Sequence, residues 1–335
     1  MKKLVAACLA LVTAACSAPD RPADKAAAPG PAGGAYPVTL TNAWGRDTLD
    51  KKPLRVATVS DGDTSIALAL GLVPVITPDT EDGGAIPEYK KRAMDKLGVT
   101  GLKTYDDTDG TDYEAIAAEA PDVILGVNTW GMDTDYAKLA PIAPVVTYAQ
   151  KKDADTLPWQ ERLKVAAKAL GMSAEAEAVI GANRKVIADA AAANPAFRGK
   201  TYTYVVVHPE QITFMSYAGQ DPGIFEDLGL RKSAKAAGYT AKDNGVSLEN
   251  LDQLDADVVL VTYPFGDEGL LSASELAGNK LFQSLEAVKN KHVAVVPAEN
   301  TLSSAIAYPD ANATMAESQR LRLRHVSQPS HPKAT

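Results

Sequence analysis

Short β-branched runs alternate with helix-length stretches over most of this chain, and that alternation limits what it can fold into. Arg55–Val59, Leu72–Ile76, Asp122–Val127 and Pro144–Tyr148 read as strands, with helices at Thr64–Leu70 and 112–119 between them. Strands covered on both faces are near-continuous apolar runs, so this pattern predicts a parallel sheet flanked by helices. Val38–Leu49, ahead of it, reads as two short strands around a turn at Asn42–Arg46. The plan recurs later, with strands at Thr201–Val207, Ile212–Tyr217, Asp257–Thr262 and His292–Val296 and helices at Gly223–Leu228 and Leu248–Leu254.

The middle of the chain is helical. Pro158–Leu170 begins on a proline and stops at Gly171. Ser173 is placed to cap a second helix over Ala174–Ala193, where Ala176, Val179, Ile180, Val186, Ile187 and Ala190 recur at helical spacing. Such a helix spans about 30 Å, enough to cross from one lobe to another. An internal echo supports two lobes. Tyr113–Leu125 aligns without gaps on Leu248–Leu260, repeating a Glu, an apolar residue two positions on, an Asp and an apolar strand. The expected fold is α/β with two lobes, each a mainly parallel sheet flanked by helices, joined by one long helix. The boundaries expected are 37–156 for the first lobe, 157–194 for the connecting segment, 195–320 for the second lobe and 321–335 for a divergent tail.

The amino-terminal end reads as an export signal. Met1-Lys2-Lys3 is basic, Leu4–Ala15 is uncharged and too short to span a bilayer, and Thr13-Ala14-Ala15 places small residues before Cys16. Residues 1–15 are therefore expected to be a lipoprotein signal peptide and Cys16 the lipidated first residue, with the lipid holding the protein on the outer face of the cell membrane. An ordinary secretory cut near Ala14–Ala15 is the alternative. Residues 16–36, rich in Pro, Ala and Gly, read as a flexible tether. Both cysteines fall in the leader, at Cys8 and Cys16, so the mature domain has no disulfide and depends on a large core. A net charge of −8 argues against a nucleic-acid partner and mildly favours neutral or cationic ligands.

Motifs of chemistry are absent from the sequence. It has no G-x-S-x-G elbow, P-loop or H-E-x-x-H, so no enzymatic activity and no cofactor are expected. The four histidines, His208, His292, His325 and His331, are scattered, which argues against a site for a free transition metal. Asp61-Gly62-Asp63 looks like a fragment of a calcium loop without the later ligands and reads as a turn.

Four stretches together resemble the ferric-siderophore and cobalamin class of ABC-transporter solute-binding proteins. They are Lys52–Val59 with Leu68–Val75; Tyr113–Leu125; Leu139–Val146 with Pro158–Glu161 and Ala169–Gly171; and Ser247–Leu251 through Asp257–Val259 with Leu281–Val288. The resemblance runs from about Tyr36 to Tyr308. It implies two lobes joined by a long helix, a ligand in the cleft between them, small hinge motion and delivery to a permease by a monomer. It also implies one permease-docking Glu on each lobe, which by position are Glu114 and Glu249, although a carboxylate there also complements a helix dipole. After Tyr308 the chain departs from the apolar C-terminal helix of the class and ends basic and proline-containing, as natural divergence or a frameshifted end.

Ligands of open α/β sheets meet the loops beyond the carboxyl ends of strands. Those loops are Ser60–Asp63, Asn128–Trp130, Tyr148–Asp155, Ser216–Tyr217, Tyr263–Phe265 and Asn300–Ser304. The ligand candidates are Trp130, Trp159, Asp61, Asn128, Tyr217, Tyr263 and Tyr308, because aromatic faces suit the broad shell of a ferric siderophore and phenols can donate to hydroxamate oxygens. Trp44, on an early turn, is expected to be structural. The loops and their flanks carry Asp61, Asp63, Asp133, Asp153, Asp155 and Asp267 but little Arg, with Lys151 and Lys152 as the exception. That balance favours a hydroxamate complex over an anionic catecholate or citrate. Cobalamin or haem is the alternative ligand, and a sensory or adhesive lipoprotein the alternative function.

Overall fold

The structure, a computed structural model, describes residues 36–79, 86, 88–215, 224–240, 243–263 and 272–296. All of these lie in the compact unit that begins at Ala35. The described residues open with the hairpin β1 (Val38–Asn42) and β2 (Gly45–Leu49). Asn42 makes the turn: its side-chain carbonyl accepts the amides of Trp44 and Gly45, each at 2.9 Å. The first lobe follows as β3 (Val56–Thr58), α1 (Asp61–Ala69), β4 (Thr77–Pro78), α2 (Glu88–Lys96), β5 (Thr104–Tyr105), α3 (Tyr113–Ala118), β6 (Val123–Leu125), α4 (Met132–Leu139), β7 (Val145–Val146) and α5 (Asp153–Thr156). Strands β3, β6 and β7 form a parallel sheet, and β4 pairs with β5, also in parallel.

Side chains alternate across this sheet, as the pleat requires. Val56, Val123, Leu125 and Val146 face one core and Ala57, Ile124 and Val145 another, all of them buried. The strand expected over Leu72–Ile76 is displaced. Val75 donates to Val56 and Ile76 accepts from Thr58, but the strand proper is Thr77–Pro78. Pro74 has no N–H to give a ladder, which shortens the pairing.

The helical middle is α6 (Trp159–Leu170) and α7 (Ser173–Ala193). Gly171, at φ 63°, ends α6, and the Met172 amide bonds to Ala167 across the turn. Met172 therefore holds the cap position of α7, and Ser173, expected as the cap, is its first helical residue with no capping bond. Ala176 and Ile180 of α7 lie in a core of the first lobe, and Ile187 and Ala190 in a core of the second.

The second lobe contains β8 (Thr201–Val207), β9 (Ile212–Phe214), α8 (Ile224–Asp227), β10 (Arg231–Lys232), β11 (Gly245–Val246), β12 (Val258–Thr262), α9 (Ala273–Gly278), α10 (Lys280–Ser284), α11 (Glu286–Lys289) and β13 (Val293–Val295). Its sheet runs β11-β9-β8-β12-β13, with β10 beside the start of β8. β8, β10, β12 and β13 are parallel, whereas β9 is antiparallel to β8 and β11 to β9.

The internal echo has a physical content. Asp122 accepts the amides of Leu54 and Arg55 at 2.8 and 3.0 Å, just ahead of β3. Asp257 accepts the Thr201 amide at 2.8 Å and the Lys200 ammonium at 2.8 Å, at the start of β8. Each Asp thus pins the first strand of its sheet to the neighbour it precedes. These bonds hold both carboxyls below the usual range, Asp257 at about 2. The helical halves of the echo differ. Residues 113–118 are α-helical with Asp112 capping Ala115, while Leu248–Leu254, expected as a helix, is a 3₁₀ segment kinked at Asn250.

Candidate ligand-binding site

The carboxyl ends of β3, β6 and β7 share one edge of the first sheet and release three loops there. Ser60 leaves β3 and caps α1, its hydroxyl accepting the Asp63 amide at 3.1 Å. The Asp61-Gly62-Asp63 run, expected as a turn before a helix at Thr64, is the first turn of that helix. Asp63 is wholly buried. Its Oδ1 accepts the amides of Val127 and Asn128 at 2.9 and 3.1 Å, and its Oδ2 accepts the Ser60 hydroxyl at 2.6 Å. Burial pushes its carboxyl up to about 6, against the lowering effect of these bonds and of Arg162.

Arg162, on α6 and only 5% exposed, ties the remaining loops to the same point. Its guanidinium donates to the carbonyls of Val127, Leu157, Asp153 and Ala154. The Val127 peptide is therefore held on both sides, by Asp63 at its N–H and by Arg162 at its carbonyl. Gly62 completes the arrangement. A Cβ at this position would stand 1.4 Å from the Asn128 side-chain nitrogen, so the absent side chain is what seats the Asn128 amide. Gly62→Ala is expected to cost about 1–3 kcal/mol by overpacking. Gly181→Ala, on α7 with nothing within 4 Å of the new methyl, should gain up to about 1 kcal/mol. Thermal melts of the two variants should move in opposite directions.

Trp130 follows this clamp and is 65% exposed, while Asn128 beside it is buried. Asp61, another candidate, is half-buried and ion-paired with the buried Lys90 of α2. Trp159 opens α6 and, like Tyr36 and Leu72, packs against the first-lobe core. Trp44 stacks on Tyr136, with ring centres 5.3 Å apart, and tilts against Tyr148 at 5.4 Å. Those contacts lock the hairpin onto the first lobe, a structural role.

Three of the acids that suggested a cationic or neutral ligand are already engaged. Asp63 is enclosed, Asp61 pairs with Lys90, and Asp133 pairs with Lys151. The loop charges therefore discriminate between ligands less than their count suggested.

In the second lobe, the carboxyl ends of β8 and β12 lead to His208 and Tyr263, both half-buried. His208 bonds to Thr213 at 2.9 Å, and burial lowers its pKa. Because β9 is antiparallel, with Phe214 opposite Val205, its carboxyl end points to the other edge of the sheet. The rule that selected the loop at Tyr217 holds only for strands running parallel to β8. Tyr217, Tyr308 and Cys16 lie outside the described residues. Glu114 and Glu249 are both exposed, in the first turns of α3 and the 3₁₀ segment. Among the described residues, no group of three or more His, Cys, Asp or Glu could hold a metal ion.

Sequence reasoning missed Asp63 and Arg162 as organisers. A Ser followed three residues later by an acid, ahead of an apolar run, was the available sign for the first. An Arg one turn before Ala166 on the buried stripe of α6 was the sign for the second.

Two lobes, one with parallel sheets and one with a mainly parallel sheet, have loops gathered at strand carboxyl ends and a helix contributing to both cores. The sequence profile described as periplasmic binding protein matches residues 56–300, and the chain belongs to that family. The probable siderophore-binding lipoprotein YfiY of Bacillus subtilis (strain 168) is 27% identical over 263 residues, 75% of this chain and 78% of that protein. The iron uptake ABC transporter substrate-binding protein PiaA of Streptococcus pneumoniae TIGR4 superposes with a TM-score of 0.68 at 28% identity, covering 86% of this chain and 98% of PiaA. Its complex with ferrichrome gives 0.69 at 29% identity, covering 85% and 97%. Staphylococcus aureus SirA with staphyloferrin B, at 22% identity, shares the fold with a TM-score of 0.71, covering 86% and 98%.

Proposed function

We propose that this protein is the extracytoplasmic solute-binding component of an ABC importer, capturing a ferric siderophore and delivering it to a permease. The observation that carries this reading is Trp130, a large exposed ring on a clamped loop at the carboxyl edge of the first sheet. The family supports a binding role, and the siderophore named for YfiY and the ferrichrome held by PiaA support the ligand class. Ferrichrome also favours the hydroxamate type. Asn128, Asp61, Trp159 and Tyr263 are the further candidates for the ligand shell, with Tyr308 and, for its phenol rather than for its place after β9, Tyr217. In this reading α7 is the connection about which the lobes adjust. Glu114 and Glu249 meet basic residues of the permease, where matched charge sets register and on-rate. Cys16 carries the lipid that keeps the protein at the membrane.

The test is quenching of Trp fluorescence in the full chain, titrated with ferrichrome, a catecholate ferric complex, haem and cobalamin. Saturable binding of ferrichrome is expected, and Trp130→Ala should weaken it about tenfold, the worth of one aromatic contact. Folded protein that bound none of the four would end the siderophore reading. Preference for the catecholate would retain the function and discard the hydroxamate assignment.

A further inference from the structure

Asp63 presents a physical problem. It is wholly buried, and the Arg162 guanidinium that lowers its pKa donates to four backbone carbonyls. Its folded pKa stands above the ordinary value of 3.8, at about 6. The carboxyl therefore contributes stability below pH 3.8, and that contribution is lost as the pH rises through about 6. At neutral pH the charge on this carboxyl is less favoured in the fold than in the unfolded chain. What the charge supplies instead is a stronger acceptor, since hydrogen bonds to a carboxylate are roughly twice as strong as neutral ones. All the acceptor strength shown is directed at three points on the loops: the Ser60 hydroxyl and the amides of Val127 and Asn128.

We propose that Asp63 is a positioning residue, which holds the Val127–Asn128 segment, and with it the Trp130 loop, in the arrangement that receives the ligand. The inference rests on the reading above that this edge binds the ligand. Asp63 contacts the ligand only through what it holds. Asn128 stays seated over Gly62, and Trp130 departs from the fixed peptide at a set angle. In this proposal stability is exchanged for a rigid ligand loop.

The groups facing Asp63 limit what acid can do. Arg162 approaches from α6 and keeps its charge at any relevant pH. Tyr105 approaches from β5, and its phenol is pushed well above its usual value, mainly by burial. Asp61, on α1 itself, is paired with Lys90 of α2. Neither Arg162 nor Tyr105 changes charge between pH 5 and 7.5, so a change at the clamp in that range belongs to Asp63.

The test compares the full chain with its Asp63→Asn variant by amide hydrogen exchange at pH 7.5, by thermal melting and by ferrichrome titration from pH 5 to 7.5. The variant should melt no lower than the wild type. Protection of the Val127 and Asn128 amides should fall tenfold or more, with Val123–Leu125 unchanged. Its affinity for ferrichrome should be about tenfold weaker at pH 7.5. Wild-type affinity should fall as the pH drops through about 6, while the variant stays flat. Unchanged protection and affinity would overturn the proposal, and so would a lower melting temperature with protection lost throughout β6, which would make Asp63 a general stabiliser. Wild-type protein that bound no ferrichrome would sink the ligand reading alone. The exchange data would still decide whether Asp63 holds the segment.

Discussion

Phe225→Ala is expected to cost about 3–5 kcal/mol, the range for deleting a fully buried aromatic ring. Phe225 has no exposed surface, and its ring centre lies 5.0 Å from that of Tyr202 and 5.4 Å from that of Tyr204. It sits on α8, a helix of four residues that cannot persist without tertiary packing. Its loss leaves a cavity between α8 and β8 and removes one ring contact from each tyrosine, in the core that also takes Ile187 and Ala190 of α7. All three tryptophans, Trp44, Trp130 and Trp159, precede α7 in the chain, so Trp fluorescence reports on the first lobe alone. Urea unfolding followed by near-ultraviolet circular dichroism of the tyrosines should shift to much lower denaturant, and the Trp fluorescence midpoint should move less. Equal shifts would mean that α7 couples the two cores into one cooperative unit, and the expectation of separate loosening would be wrong.

The alternation that predicted two sheets was legible because strands buried on both faces have no other way to be written. β3, β6, β8 and β12 lie within their expected segments. The long helix was legible from its stripe, whose two halves feed two cores. Less legible were the short elements. α2 and α4 expose charges, such as Lys91, Arg92 and Asp95 in the first, and have only a short buried apolar stripe, Ala93 and Met94 in the first and Met132 and Leu139 in the second. Their place is set by what covers the sheet rather than by their own pattern. The 3₁₀ form of Leu248–Leu254 could not be read either, since its apolar spacing suits a helix and only the φ of −110° at Asn250 breaks it.

The candidate site was legible as a set of loops and illegible as a network. The carboxyl-end rule found the Ser60 and Asn128 loops because β3 and β6 are parallel, but it has no purchase on β9, whose antiparallel direction the sequence does not declare. Counting acids gave their number and not their partners. Lys90, which neutralises Asp61, lies 29 residues away in the chain, and Arg162 is 35 residues from the carbonyl of Val127. Long-range polar pairing of this kind follows from the fold and is not written in any local window.

Arg162→Met is expected to cost about 3–5 kcal/mol, comparable to breaking a buried charge network by removing one member. Methionine approximates the length and volume of the side chain but donates nothing. The carbonyls of Val127, Leu157, Asp153 and Ala154 then lose this donor, three of them bonded at 2.8–3.1 Å. Asp63 loses the cation that lowers its pKa, so its carboxyl should titrate higher still. Arg162→Lys should recover little, because one ammonium keeps the charge but cannot span four carbonyls that a planar fork reaches together. Urea unfolding monitored by Trp fluorescence measures this directly, since Trp130 and Trp159 flank the clamp. If the methionine variant lost less than about 1 kcal/mol, water would have to be replacing the guanidinium, and the β6–α4 and β7–α6 loops would be held by their own packing. If the full cost appears, a single residue of α6 joins both loops to the edge of the sheet. Under the proposed function, affinity for ferrichrome should then fall in the methionine and lysine variants alike, even at temperatures where both remain folded.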